Sequence, residues 1–258
     1  MNSEELQLLP FQTPEAQPVS IAYRYHEPKD CKPTYLWFGG FKSDMASTKA
    51  EALAAWTQRN GAGCLRFDYS GHGRSGGRFE DGTVSLWLGQ AAAVLEHTVK
   101  KGPVVFAGSS MGGWIALLLA RQLASLGSPL PKGIVLIAPA WNMTRLIWKS
   151  ASDAARTAIL DAGVYLRPSD YGEPYAITKA LIDDGEQNII GNGSLPAGVP
   201  IRVLHGCQDP DVPWHHSIDL LGLASCEDMR VTLVKDGEHR LSRPQDLALL
   251  HASLAEFL

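Results

Sequence analysis

The sequence predicts an α/β chain built on a mostly parallel, doubly wound sheet. Three observations carry that expectation. Apolar, β-rich runs alternate with helical segments through residues 19–139. The run 103–107 ends in Gly108-Ser109-Ser110-Met111-Gly112, with Gly113 behind it. An apolar stretch of helical composition, 114–120, follows at once. Alternating strands and helices argue for parallel strands joined by right-handed crossovers. A strand, a glycine-rich turn and a helix around G-x-S-x-G are the context in which a serine is held up above a sheet.

Taken in order, residues 19–26 alternate apolar or aromatic side chains with polar ones and predict an early strand. The next strand, 34–38, runs into Gly39-Gly40-Phe41. Residues 47–60 predict a helix, with Ala50, Leu53, Ala54 and Trp56 apolar and Gly61 as the stop. Strand 64–68, helix 84–99 and strand 133–139 continue the alternation. The rhythm then breaks, and no core strand is evident from 140 to 199. Within that segment 144–162 is helical in composition, 167–174 is loop and 175–183 is a second helix. Met143, Leu146 and Ile147 keep the helical spacing. Sixty residues are too many for a plain connection, so 140–199 is expected to form a cap over the site. The sheet resumes at 201–205, followed by helix 215–223, strand 229–234 and a closing helix over 244–258. Leu247, Leu250, Leu254 and Phe257 share one face of that last helix. The expected organisation is one domain over 1–258 with a single helical insertion.

Composition excludes several function classes. A formal net charge of −4 offers no electrostatic reason to bind nucleic acid or an anionic membrane. The four cysteines, Cys31, Cys64, Cys207 and Cys226, contain no C-x-x-C pair, so neither a zinc site nor a disulfide framework is expected. A reducing cytoplasm is the simplest compartment for such a chain. The first 18 residues hold Glu4, Glu5 and Glu15 and no Lys or Arg, unlike a signal peptide or mitochondrial presequence. No apolar run reaches the ~18 residues of a membrane span.

A serine hydroxyl needs a base within hydrogen-bond reach, and that base needs an orienting carboxylate. Around G-x-S-x-G the partners follow in the order Ser, acid, His. Ser110 is therefore the candidate nucleophile. His239, in Asp236-Gly237-Glu238-His239-Arg240, is the one histidine between the last strand and the closing helix. His251 lies in that helix, His215 and His216 open another, and His205 closes a strand, where packing is its expected role. His26, His72 and His97 precede the serine. For the acid, Asp209 fits H-G-x-x-D-x-x-V-P over 205–213, leaving Asp211 as a solvated neighbour or helix cap. The Met111 amide, at a helix start, and the Phe41 amide are the expected oxyanion donors. Gly71-x-Gly73-x-x-Gly76 mimics a dinucleotide-binding turn, but no helix opens directly after it, so Asp68 and these glycines read as structural. Trp141 and Trp148, with Tyr165, Tyr171 and Tyr175, either line a substrate pocket or form the cap's own small core.

Four stretches together resemble one family: Phe67-Asp68-Tyr69-Ser70-Gly71; Gly108 to Trp114; Leu204-His205-Gly206-Cys207-Gln208-Asp209 with Val212-Pro213-Trp214; and Glu238-His239-Arg240. They resemble the α/β-hydrolases, and among them the mitochondrial acyl-protein thioesterase and acyl-glucuronide esterase subgroup with its bacterial relatives. The resemblance runs from about Tyr35 to the C-terminus. It implies an α/β-hydrolase fold and cleavage of carboxylic esters or S-palmitoyl thioesters through an acyl-serine. The substrate would be a small acyl ester or thioester, or an S-acylated protein, and no metal or organic cofactor is called for. With no presequence, a cytoplasmic bacterial relative is the expectation. Two other readings stay open: C–C bond or lactone hydrolysis on the same triad, and a non-enzymatic ligand receptor on the same fold.

Overall fold

The computed structural model describes residues 5–13, 18–168 and 174–258. Its sheet has eight strands. From one edge they are β1 (Gln7–Gln12), β2 (Pro18–His26), β4 (Gly63–Phe67), β3 (Thr34–Phe38), β5 (Val104–Ser109), β6 (Gly133–Ile137), β9 (Ile201–Gly206) and β10 (Met229–Val234). Strands β3 to β6, β9 and β10 pair in parallel, while β1 with β2 and β2 with β4 pair antiparallel. This is the predicted doubly wound α/β-hydrolase fold.

The central strands read as unbroken apolar runs because helices cover both faces. Every residue of β3, β4 and β6 is buried. Alternate side chains go to opposite layers. Leu36, Phe38, Phe67, Phe106 and Leu136 join α2 (Val84–Thr98) and α3 (Met111–Ser125) on one face. Tyr35, Trp37, Val105, Ala107 and Val135 join α1 (Thr48–Asn60) and α8 (Pro244–Ala255) on the other. Gly61 ends α1 in the left-handed conformation, as expected.

Three expectations need correction. Strand β1 was not anticipated; Pro10 lacks an amide hydrogen and reads as a strand breaker, yet an edge strand tolerates it. The helical stretch 144–162 is two helices, α4 (Met143–Ser150) and α5 (Asp153–Ala162), because Ser152 caps a new start by accepting from the Ala155 amide. The predicted helix 175–183 begins instead as strand β8 (Tyr175–Thr178), paired antiparallel with β7 (Val164–Arg167). Helix α6 (Lys179–Gln187) starts only after Thr178, whose hydroxyl accepts from the Leu181 amide. The β7–β8 pairing also takes Arg167 out of the predicted loop, of which residues 169–173, with Tyr171, lie outside the described residues.

These elements fill the expected insertion between β6 and β9. Its two ends are pinned to each other. The Asn142 side-chain amide donates to the Ile190 carbonyl (3.0 Å), and its oxygen accepts from the Ile190 amide (2.8 Å). Ile147, Ile159, Ile177 and Leu181 form the insertion's apolar underside and pack into the core of the α2–α3 face.

Candidate active site

Ser110 sits between β5 and α3 with φ 54° and ψ −121°, a conformation costly for a non-glycine residue. Backbone hydrogen bonds hold it there. Its amide donates to the Ile137 carbonyl (2.9 Å), and its carbonyl accepts from the Gly113 and Ala140 amides (3.0 Å each). The glycines of the turn are required by close approach. A Cβ on Gly112 would fall 2.1 Å from the Phe38 carbonyl oxygen, and one on Gly108 would fall 2.6 Å from that of Gly112. The same approach draws the Gly39-Gly40-Phe41 loop against the serine; the Cβ position of Gly40 lies 3.4 Å from Ser110 Cβ. Among the described residues no protein group accepts from the Phe41 or Met111 amide.

Asp209 and His239 follow the carboxyl ends of β9 and β10, two and three strands from β5. Ligands of open α/β sheets bind at that edge. His239 Nδ1 lies 2.7 Å from Asp209 Oδ2. Because the carboxylate accepts, Nδ1 carries the hydrogen and Nε2 of the neutral ring is left as an acceptor. Asp209 Oδ1 accepts from the Asp211 and Val212 amides at 2.9 and 2.8 Å. Burial alone would raise the Asp209 pKa, but hydrogen bonds from His205 and His239, the His239 charge and the Val212 amide outweigh it and hold the carboxyl well below its usual range. Ligating atoms of Asp209, Asp211 and His239 also fall within 4.8 Å of one another, as a metal cluster would require. Both Asp209 oxygens are already committed to N–H donors, which fits a carboxylate that orients an imidazole.

The loops that carry Asp209 and His239 are tied together. The Cys207 amide donates to the Val234 carbonyl and the Gln208 amide to that of Gly237, each at 2.8 Å. A Cβ on Gly206 would come 2.3 Å from the Gly237 oxygen. Arg243 closes the His239 loop through ion pairs with Asp236 and Asp246, each 2.8 Å. Sequence reasoning missed Lys49, whose ammonium donates to the Arg240 carbonyl beside His239. Burial, helped by the Arg240 charge, pushes its pKa down to about 8 against the opposing pull of Glu238, Asp209 and Asp246. The contact joins residues 191 apart, and no local pattern announces it.

The aromatic candidates separate. Tyr175, in the insertion, packs edge-on against Phe41, which also meets Phe79 and Trp87. Trp141 is locked to α7 (His215–Leu223): it stacks on His216 at 4.2 Å, its indole donates to the His216 carbonyl, and its carbonyl accepts from His216 Nε2. Trp148 lies under the Arg156 guanidinium and lines a cavity of about 390 Å³ with Arg145, Lys149, Ile182 and Glu186. None of these is a triad candidate, and the structure does not bring Trp148 to them. Tyr165 packs against the main core.

Asp68 is structural, as expected: its carboxylate accepts from the Met45 and Arg74 amides, each at 2.7 Å. His72 in the same turn is buried, with Nδ1 donating to the Ser70 carbonyl (3.1 Å). Burial pushes its pKa down to about 4, aided by the Lys42 charge and opposed by the Ser70 bond. The unfolded chain therefore takes up this proton first, and folding stability declines as pH falls from about 6.5 towards 4. That loss should reach about 2–3 kcal/mol at about 1.4 kcal/mol per pKa unit. Urea midpoints at pH 7 and pH 4.5 check it: His72→Gln should show a smaller drop than wild type, and equal drops would refute this origin.

Fold and site together define the class: the chain belongs to the α/β-hydrolase family. Residues 39–180 match the family described as serine aminopeptidase, S33. Within it the chain falls in the subgroup typified by palmitoyl-protein thioesterase ABHD10. The mitochondrial protein of that name from Homo sapiens is 31% identical over 230 residues, 88% of this chain and 73% of that one. Among solved structures, a protein from Agrobacterium vitis S4 is 39% identical with a TM-score of 0.93, covering 99% of both chains. Mouse α/β-hydrolase domain-containing protein 10 is 27% identical with a TM-score of 0.83, covering 97% of both.

Proposed function

We propose that this hydrolase cleaves carboxylic esters or acyl thioesters through an acyl-enzyme on Ser110. The observation that carries the proposal is the 2.7 Å contact of His239 with the buried Asp209, at the sheet edge where the strained Ser110 stands. Ser110 Oγ attacks the acyl carbonyl while His239 Nε2 takes its proton. The oxyanion is held by the Phe41 and Met111 amides. His239 then protonates the departing alcohol or thiol, and the same imidazole activates water to release the acid. Asp209 keeps His239 in the required tautomer and stabilises the imidazolium. The aromatic group of Phe41, Phe79, Trp87 and Tyr175 supplies an apolar wall beside the oxyanion donors, suited to an acyl chain. The thioesterase names of the relatives support a thioester or an S-acylated protein as substrate. We place the protein in a reducing, cytoplasmic compartment.

A fluorophosphonate probe tests the mechanism. It should add one phosphonyl group to the native protein, on the peptide carrying Ser110, and turnover of nitrophenyl esters and acyl thioesters should stop in parallel. The kcat/KM for these substrates should rise with pH along a single-proton limb as the base loses its proton, and EDTA should leave it unchanged. Labelling elsewhere, or turnover that survives full labelling, would remove Ser110 from the reaction.

A further inference from the structure

Asp209 has a second imidazole partner that the triad does not use. His205 closes β9, and its side chain is fully buried. Its Nε2 lies 2.9 Å from the Val212 carbonyl oxygen and 3.2 Å from Asp209 Oδ2. Both are acceptors, so Nε2 carries the hydrogen; it donates to the Val212 carbonyl, and Asp209 Oδ2 stands beside the same N–H. In the neutral ring Nδ1 is then a bare lone pair, and Ser217 Oγ lies 2.6 Å from it. Ser217, fully buried on α7, can only be the donor there. The direction of every hydrogen in the chain Ser217, His205, Asp209, His239 follows from these partners.

The two carboxylate oxygens are held differently. Oδ1 is fixed by two loop amides. Oδ2 meets His239, which sits in a loop and is exchanged between proton states in each cycle of the proposed reaction. The other N–H beside Oδ2 comes from a core strand, where packing allows little movement. We propose that His205 and Ser217 are a positioning pair for the triad acid: the Ser217 hydroxyl sets the His205 tautomer, and His205 Nε2–H holds Asp209 Oδ2 in line with His239. This rests on the triad reading above.

Two substitutions at one position separate positioning from packing. An amide in His205→Asn stands near Nδ1, keeps the Ser217 contact and falls short of Asp209. In His205→Gln it reaches the Nε2 position and restores a donor. With a nitrophenyl acyl ester, His205→Asn should lower kcat by about tenfold to a hundredfold, the range for lost supporting hydrogen bonds, with KM unchanged. A carboxylate that loses a donor holds the neighbouring imidazolium more tightly, so the acid limb of kcat/KM should move up by about half a pH unit. His205→Gln should recover most of the loss and return the limb. Ser217→Ala should give a smaller loss in kcat, with the limb displaced in the same direction. Equal losses in both His205 variants without movement of the limb would be a packing effect and would overturn the proposal. So would a folded His205→Asn protein that matches wild type while Asp209→Asn is inactive. If His205→Asn fails to fold, as judged by its melting curve, Ser217→Ala decides; an unchanged kcat and limb overturn the pair. Undiminished turnover in Ser110→Ala is a different result, because it overturns the triad reading itself.

Discussion

Ser110→Ala should leave a folded protein whose turnover is reduced by about 10⁶-fold, the scale of nucleophile deletion in a serine protease triad. The fold should survive because the turn is held by backbone groups. The Ser110 amide and carbonyl bonds to Ile137, Gly113 and Ala140 do not involve the hydroxyl. Alanine also keeps the unfavourable φ of 54°, so the turn neither gains nor loses strain. Ser109 is the internal control. It ends β5 and is buried, so Ser109→Ala should alter kcat/KM only a few-fold. Steady-state kinetics and a melting curve for each variant check the pair. Activity lost in Ser109→Ala and kept in Ser110→Ala would move the nucleophile by one residue.

Asp209→Asn should cost about 10⁴-fold in kcat, as in a related triad, whereas Asp211→Asn should cost little. The reason lies in the donors around Asp209. His239 points an N–H at Oδ2, His205 Nε2 stands 3.2 Å from the same oxygen, and the Asp211 and Val212 amides point their N–H groups at Oδ1. Donors stand at both oxygens, so only a group with two acceptor oxygens satisfies them. An asparagine must turn its NH₂ towards one pair, which either forces His239 into the wrong tautomer or breaks the loop behind it. Asp211 is exposed. The folded Asp209 pKa is depressed, so its share of stability is present above the unfolded value near 3.8 and is lost only as pH falls below that. The acid limb of activity is therefore not the titration of Asp209. Comparable small losses in both variants would place the acid elsewhere.

What could be read from the sequence follows from how far each feature reaches along the chain. The parallel core was legible because strands covered on both faces are continuous apolar runs of the kind seen in 34–38 and 133–137. The contact of Asp209 with His239 was legible because both residues stand in loops after recognisable strands. Short elements were not. Strands β7 and β8 have four residues each and are partly exposed, too brief for a period to show. The positions of Lys49 and Ser217 depend on pairings across 191 and 12 residues, which are products of packing. His205 was expected to serve packing, and its approach to Asp209 appears only when the loop geometry is known.

The Asn142–Ile190 pair at the neck of the insertion bears on how such enzymes diversify. With both ends fixed to each other, the chain between them is a closed loop hung on a finished scaffold. The entropy of closing a loop grows only slowly with its length, so segments of other sizes can hang from the same clasp. The stretch between Asn142 and Ile190 carries Tyr175, whereas Phe41, Phe79 and Trp87 of the same aromatic group and Ser110, Asp209 and His239 lie outside it, so the two stretches can drift at different rates. A graft carrying a relative's segment between these two residues should fold if it brings its own apolar underside to replace Ile147, Ile159, Ile177 and Leu181. Ser110 of such a chimaera should still take the fluorophosphonate label while its acyl-chain preference follows the donor; a chimaera that folds but no longer labels would show that the two stretches are not separable.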